Sequence, residues 1–438
     1  MQATRRWLRH RGNLDKASLR LFVAGAALAT AVPALRAQSL NDPALQVLTW
    51  VAGLSQPTSI ALLPQLPGQP LEALVDEKAT GRVMHVRGGA LVGPVLDLAV
   101  NSRSERGLLG MALHPDFASN GFVYLYYSAS STGLDNADQD AIAGHRVERY
   151  HWDGTSLSAP APILALPGAG GPNHDGGILL FGPDRKLYGV LGDLNHRTQL
   201  QNLPAGPPPD DTSIIFRIDD DGSVPADNPF LAFGGSMPKV FAYGVRNCFG
   251  LDFDPRTGVL WDTENGPDAY DEINRVPAGF NSGWVQIMGP DGRDPQGLGD
   301  VWVAPGSHYG DPLFSWLGPI GVTSLHFIRS SILGAAYEND LLVGDNNFSG
   351  LYHFELSGDR SSLVMTTAET TDRVADNELE RDVYRLGSSF GVITDIETGP
   401  DGVYVCSLSL GRILRLRRNP AEVQASDWGR IKELYRPK

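Results

Sequence analysis

The chain has 438 residues, past the length at which one ordinary hydrophobic core stops growing, so it holds several domains or an architecture that scales by repetition. Fifty glycines and thirty-one prolines exclude a mainly helical protein, and 42% hydrophobic residues exclude a disordered one, leaving a turn-rich all-β chain. A net charge of −14 argues against nucleic acid or an anionic membrane surface as partner.

The first forty residues have the order of an export signal. Arg5, Arg6, Arg9 and Arg11 precede an apolar stretch from Leu19 to Leu35, and Ala37-Gln38 offers a small-residue exit. The stretch is interrupted by Arg20 and Pro33 and is short for a spanning helix. Residues 1–37 are therefore expected to be cleaved, leaving no stable membrane anchor and a periplasmic or secreted chain that begins near Gln38. Arg5-Arg6 after Thr4 hints at twin-arginine export, although a long polar gap before the apolar run counts against it.

Beyond this segment one unit recurs: a hydrophobic strand, a Pro-Asp or Gly turn, then a β-branched or aromatic strand. Its copies start at Ala61-Leu62-Leu63-Pro64, Leu113-His114-Pro115-Asp116, Phe181-Gly182-Pro183-Asp184 and Phe253-Asp254-Pro255. A looser copy spans Ile332 to Asp345, and Gly399-Pro400-Asp401-Gly402 closes the series. The repeat predicts an all-β, six-bladed β-propeller of four-stranded antiparallel blades, forming one domain over 38–438. A double sandwich would not call for the same unit six times. Long loops are expected at Ser128–Gly144, Gln201–Thr212 and Asp291–Trp316, with a short terminal helix over Pro420–Leu434. The two cysteines, Cys248 and Cys406, lie in apolar, strand-like surroundings that suit burial, with one disulfide as the alternative.

Three stretches carry chemistry. His174, in Asn173-His174-Asp175-Gly176-Gly177, stands in a polar turn where a neutral imidazole is available as a base. Arg246 and Asn247, in Gly244-Val245-Arg246-Asn247, place a guanidinium fork where it suits a carboxylate or a developing oxyanion. The acidic, turn-rich segment from Glu264 to Glu272 offers hard oxygen donors of the kind calcium takes.

These stretches, together with Glu105-Arg106-Gly107-Leu108-Leu109-Gly110-Met111-Ala112-Leu113-His114-Pro115-Asp116-Phe117, resemble the soluble glucose/sorbosone dehydrogenase family over about Leu54 to Arg418. The resemblance implies oxidation of the C1 hydroxyl of aldoses to lactones with pyrroloquinoline quinone and Ca²⁺, electrons leaving to an external acceptor. It gives His174 the role of proton acceptor, sets Arg246 facing the reactive quinone oxygen, and makes Asn247, Asn173 and Glu105 pocket residues. It also implies an active-site Ca²⁺ on the carbonyls of Gly266 and Pro267, and a second Ca²⁺ on Glu272 and the carbonyl of Ser282.

The pattern breaks at the cations. Val392 and Thr394 stand where the best-known relatives carry two arginines, and Asn346 and Asn347 stand near the position of a lysine. Losing three charge-assisted contacts, each worth about 1.5–3 kcal/mol, would weaken binding of a trianionic quinone unless Arg106, Arg197 or Arg412 compensates. Two alternatives stay open: a calcium-dependent lactonase using Asp395, Asn347 and Asn173 as ligands, and a non-catalytic propeller that binds carbohydrate or protein.

Overall fold

In the computed structural model, residues 37–295 and 297–421 are described, and their strands form six sheets whose innermost strands follow one another around a ring. Pro57–Leu62 packs against Leu108–Leu113, and that strand against Leu179–Phe181. Cys248–Phe253, Val322–Phe327 and Ile393–Gly399 follow, the last returning to Pro57–Leu62. This closed ring of radially stacked sheets is a β-propeller. The sheets are numbered one to six below, in the chain order of these innermost strands.

Each repeated turn joins an innermost strand to the second strand of the same sheet. Leu62 leads to Glu72–Glu77, Leu113 to Phe122–Ser130, Phe181 to Leu187–Leu191, and Phe253 to Leu260–Glu264. Phe327 leads to Leu341–Asp345, and Gly399 to Gly402–Ser407. The turns recur because every sheet needs the same tight antiparallel reversal there.

Between successive sheets lie apolar layers. Leu74, Leu108 and Val123 fill the gap from sheet one to two. Tyr126, Leu187 and Ile214 fill the next, then Tyr188, Val190 and Leu251. Trp261, Phe327 and Val343 separate sheets four and five, and Leu342, Ile396 and Val405 separate five and six. Ile60, Val75, Tyr404 and Cys406 close the ring between six and one. Second strands are buried on both sides by this stacking, which is why Leu187–Leu191 and Leu341–Asp345 are buried throughout.

Two expectations need correction. The sheets are not uniformly four-stranded: sheets one, two and six have four strands, sheets four and five have five, and sheet three has six. The additions are edge strands: those of sheets three and four come from long insertions and include parallel pairs, while that of sheet five is Ser39–Leu40, from the start of the described chain, antiparallel to Arg385–Ser388. Phe280–Asn281 pairs parallel with Tyr243, and Val374–Ala375 pairs parallel with Ser315 and Trp316. The predicted loop Ser128–Gly144 is also shorter, because paired strands reach Ser130 on one side and begin at Ile142 on the other. The described residues further include short helices at Phe117–Asn120 and Glu378–Val383.

Sheet six takes its outermost strand from the start of the described chain, where Leu45–Ala52 pairs with Arg412–Arg418. Cys248 and Cys406 are buried, unpaired and on different sheets, so the disulfide alternative falls. The export signal and nearly all of the predicted terminal helix lie outside the described residues. The chain divides into Met1–Arg36 and Ala37–Lys438, and the propeller lies in the second.

Candidate active site

One mouth of the central channel opens into a cavity of about 390 Å³. Its position follows from a shared irregularity: five of the six innermost strands slip register near their start. The slips fall at Pro57/Ile60, Leu108/Gly110, Cys248/Gly250, Val322/Leu325 and Ile393/Asp395. A β-bulge re-aims the extra residue, and here those residues line the cavity: Thr58, Leu109, Phe249, Thr323 and Thr394. Glycine follows the bulge where sheets approach closest. A Cβ on Gly110 would lie 2.1 Å from the carbonyl oxygen of Gly177, and one on Gly250 would lie 2.5 Å from that of Thr323.

His174 does not itself line the cavity but is tied to it through Glu105, which does, and stands in a left-handed turn with φ of +67°. Its backbone N–H donates to Glu105 Oε2 at 2.6 Å, and its Nδ1 lies 2.6 Å from Asp193 Oδ1. A carboxylate only accepts, so Nδ1 carries the proton and Nε2 presents a lone pair. Asp193 is held by more than histidine: Trp284 Nε1 donates to its Oδ2 at 2.6 Å, and the Asn195 N–H donates to its Oδ1 at 2.8 Å. Burial works against the charged form of Asp193, but these bonds and His174 outweigh it and hold its pKa below the usual carboxylate value. Gly192 makes room for the pair, since a Cβ there would lie 2.5 Å from the carbonyl oxygens of both Arg246 and His174.

Asn247 Nδ2 donates to Glu105 across 3.3 and 3.4 Å, so Glu105, His174 and Asn247 form one connected group. Burial pushes the Glu105 carboxyl upward. Asn173 is attached to the same rim through a hydrogen bond from Ser104. Arg246 donates from its backbone to Glu264 Oε2 at 3.0 Å, and its guanidinium lies 5.2 Å from the Trp284 ring centroid.

The residues predicted as calcium ligands fall into two places. Gly266 accepts a 3.0 Å hydrogen bond from Arg246 Nη1, so this carbonyl faces a guanidinium, while Pro267 is exposed beside it. Glu272 is buried in the third strand of sheet four, accepting from the Gly289 N–H at 2.5 Å and from Asn274 at 3.2 Å. Directly opposite it in register stands Glu264, and two residues along stands Asp262, whose two oxygens are buried without a hydrogen-bond partner. Burial pushes Glu264 up to about 7, and the Ser282 side chain and Arg246 N–H oppose the rise. Burial and then Glu264 push Glu272 up as well. Among the described residues no group of three His, Cys, Asp or Glu is already arranged around a metal position. The donors are nonetheless of the right type for calcium: buried, mutually repelling carboxyl oxygens that a divalent cation would neutralise.

Val392, Thr394 and Asn346 do line the cavity, and they bring no charge to it. None of the three arginines named as compensating lines it either. Arg106 is buried, with its guanidinium on the carbonyls of Gln139, Gly168 and Gly171, and Arg197 reaches Asp193. Arg412 sits in the third strand of sheet six. The lactonase ligand set does not assemble: Asp395 lines a cavity at the opposite end of the channel, bound by Ser59 and the Ile60 N–H, while Asn347 reaches Pro319. Sequence reasoning missed Asp193, Trp284, Lys78 and, apart from Thr394, the bulge residues. Only Asp193 had a sequence signal, as the acid of Gly192-Asp193 at the end of a strand.

A β-propeller with a carboxylate-oriented histidine at the mouth of its channel defines the class. The chain belongs to the glucose/sorbosone dehydrogenase family, whose model matches residues 54–415. The aldose sugar dehydrogenase YliI of Escherichia coli is 27% identical, over 83% of this chain and 90% of that protein. The quinoprotein glucose dehydrogenase B of Acinetobacter calcoaceticus is 32% identical over about half of each chain, 49% of this one and 48% of that one. Among solved structures, the PQQ-bound form of aldose sugar dehydrogenase from Streptomyces coelicolor superposes with a TM-score of 0.61 at 25% identity, covering 86% and 99% of the two chains.

Proposed function

We propose that this chain is an exported sugar dehydrogenase that oxidises the C1 hydroxyl of an aldose to the lactone, using pyrroloquinoline quinone and Ca²⁺ and passing electrons to an external acceptor. In this reading each of the six sheets is one blade of a six-bladed propeller and residues 1–37 are the export signal. Membership of the family supports an oxidoreductase acting on a sugar. The observation that carries the chemistry is the 2.6 Å pairing of His174 Nδ1 with Asp193.

His174 Nε2 takes the proton from the substrate hydroxyl, and Asp193 stabilises the imidazolium that results. Arg246, its guanidinium on Trp284, places a fixed positive charge beside the site. Glu105 fixes the turn through the His174 N–H and is itself held by Asn247. The cavity suits a polar cofactor: Asn247 Oδ1 and Thr323 Oγ1 are buried without partners on residues that line it. When bound, the quinone supplies the two-electron oxidant; Asn247, Asn173, Glu105 and Arg246 would hold it. Glu272 and the Ser282 carbonyl would hold one calcium ion, and the carbonyls of Gly266 and Pro267 the other once Arg246 turns toward the cofactor.

The test is dye-linked oxidation of a panel of aldoses by the calcium-loaded protein with added quinone. His174→Ala is expected to lower kcat at least about a hundred-fold while quinone affinity stays unchanged, since a positioned base contributes 10²–10⁴. Activity that survives in His174→Ala would sink the assignment, and a protein without activity on any aldose would return the question to the non-catalytic alternative.

A further inference from the structure

The cavity raises a charge problem. Its floor is neutral on the side of sheets five and six, where Asn346, Val392 and Thr394 stand. Of the residues that line it, Lys78 alone is cationic. Lys78 follows directly on Glu72–Glu77, the second strand of sheet one, so the fold delivers it to the same mouth as the bulge residues. Its Nζ donates to the carbonyl of Ser104 at 2.7 Å, which leaves two of its three N–H donors for other partners. Among the described residues no carboxylate forms an ion pair with it, whereas Arg197 pairs with Asp193 and the Arg106 side chain is closed off among carbonyls. Arg246 is turned toward the carbonyls of Asn265 and Gly266.

Resting on the quinone reading above, we infer that Lys78 anchors a carboxylate of the cofactor, so that the charged edge of the ligand is recognised from sheets one and two rather than from sheets five and six. The position is built for this. The Lys78 main chain is fixed by hydrogen bonds from its N–H to Gln56 O at 3.0 Å and from the Leu108 N–H to its carbonyl at 3.0 Å. The Ser104 carbonyl then aims the ammonium beside Glu105. A single ammonium in place of three basic groups gives a looser site that selects for one well-placed carboxylate. Burial lowers the Lys78 pKa, with Asp175 and Glu105 opposing that shift, so a bound carboxylate would relieve part of the cost of desolvating the ammonium.

The experiment is calorimetric titration of the calcium-loaded full chain with pyrroloquinoline quinone. Lys78→Met is expected to weaken binding about ten- to a hundred-fold, the loss of one charge-assisted contact, while Lys78→Arg retains most of the affinity. Adding arginines as Val392→Arg and Thr394→Arg is expected to restore tight binding to Lys78→Met. A second measurement needs no variant: amine acetylation mapped by mass spectrometry should find Lys78 protected when quinone is present. Equal affinity in wild type and Lys78→Met, or acetylation of Lys78 unaffected by bound quinone, would overturn the inference and leave the quinone reading intact. No binding by the wild-type protein at high micromolar quinone would overturn both.

Discussion

At the scale of single residues, the site depends on which nitrogen of His174 carries the proton. Asp193 decides this because it can only accept, and it is fixed by Trp284 and Asn195 as well as by His174. Asp193→Asn would keep the shape but allow the amide to donate to Nδ1, placing the proton on Nε2 where the base is needed. Dye-linked turnover should fall at least about a hundred-fold, with a change in melting temperature of no more than a few degrees. Turnover within about three-fold of wild type would show that Asp193 does not set the tautomer. His174 was legible in the sequence because a histidine in a Gly-rich turn is out of place as a core residue. Trp284 was not, because it comes from an insertion after sheet four's third strand and meets Asp193 only in three dimensions.

Elements carry a different message. The bulges turn one residue of five innermost strands into the cavity, and a bulge depends on pairing with a partner strand, so no local pattern announces it. The second strand of sheet one holds an unusual group as well: Asp76 is fully buried, and neither carboxyl oxygen has a partner. Burial, followed by Asp395, pushes its pKa well above the usual carboxylate range. A carboxyl whose pKa is raised by folding binds its proton more tightly in the native state, so its contribution is fully present below the unfolded value near 3.8 and is lost as pH rises through the folded value. Asp76→Asn should therefore gain stability relative to wild type as pH is raised, seen as a larger difference in melting temperature at pH 8 than at pH 5. A difference that stays constant, or shrinks, across that range would show that Asp76 is ionised in the native protein.

For the whole molecule, closure is the governing event. Sheet six is completed by Leu45–Ala52, so the start of the described chain pairs with its end, and Leu45 and Val51 enter two different apolar layers. A ring of sheets without that strand would expose both the edge of Arg412–Arg418 and those layers. Deleting residues 37–52 should abolish the single cooperative thermal transition and make the rest of the chain rapidly digestible in limited proteolysis. A truncated protein that melts cooperatively near the wild-type temperature would mean that closure adds little to stability. Strands added at the edges of sheets three, four and five show the limit of repeat-based reading in the other direction. The repeat reports the inner hairpin, which every sheet must build alike, and is silent about the outer edge, where insertions in sheets three and four and the start of the described chain in sheet five are free to pair.

By itself the sequence determined the all-β class, the repeated inner hairpin and the family, because turn chemistry, strand composition and short motifs are local and survive in the order of residues. It also marked His174, Arg246, Asn247 and Glu105, which the fold brings to one channel mouth. Tertiary structure alone decided that Asp193 and Trp284 orient the histidine, that Gly266 faces a guanidinium, that Asp395 belongs to the far end of the channel, and that the cation in the cavity is Lys78. These are relations between residues far apart in the chain, fixed by how the sheets stack and where their innermost strands slip register, and neither composition nor spacing encodes that geometry directly.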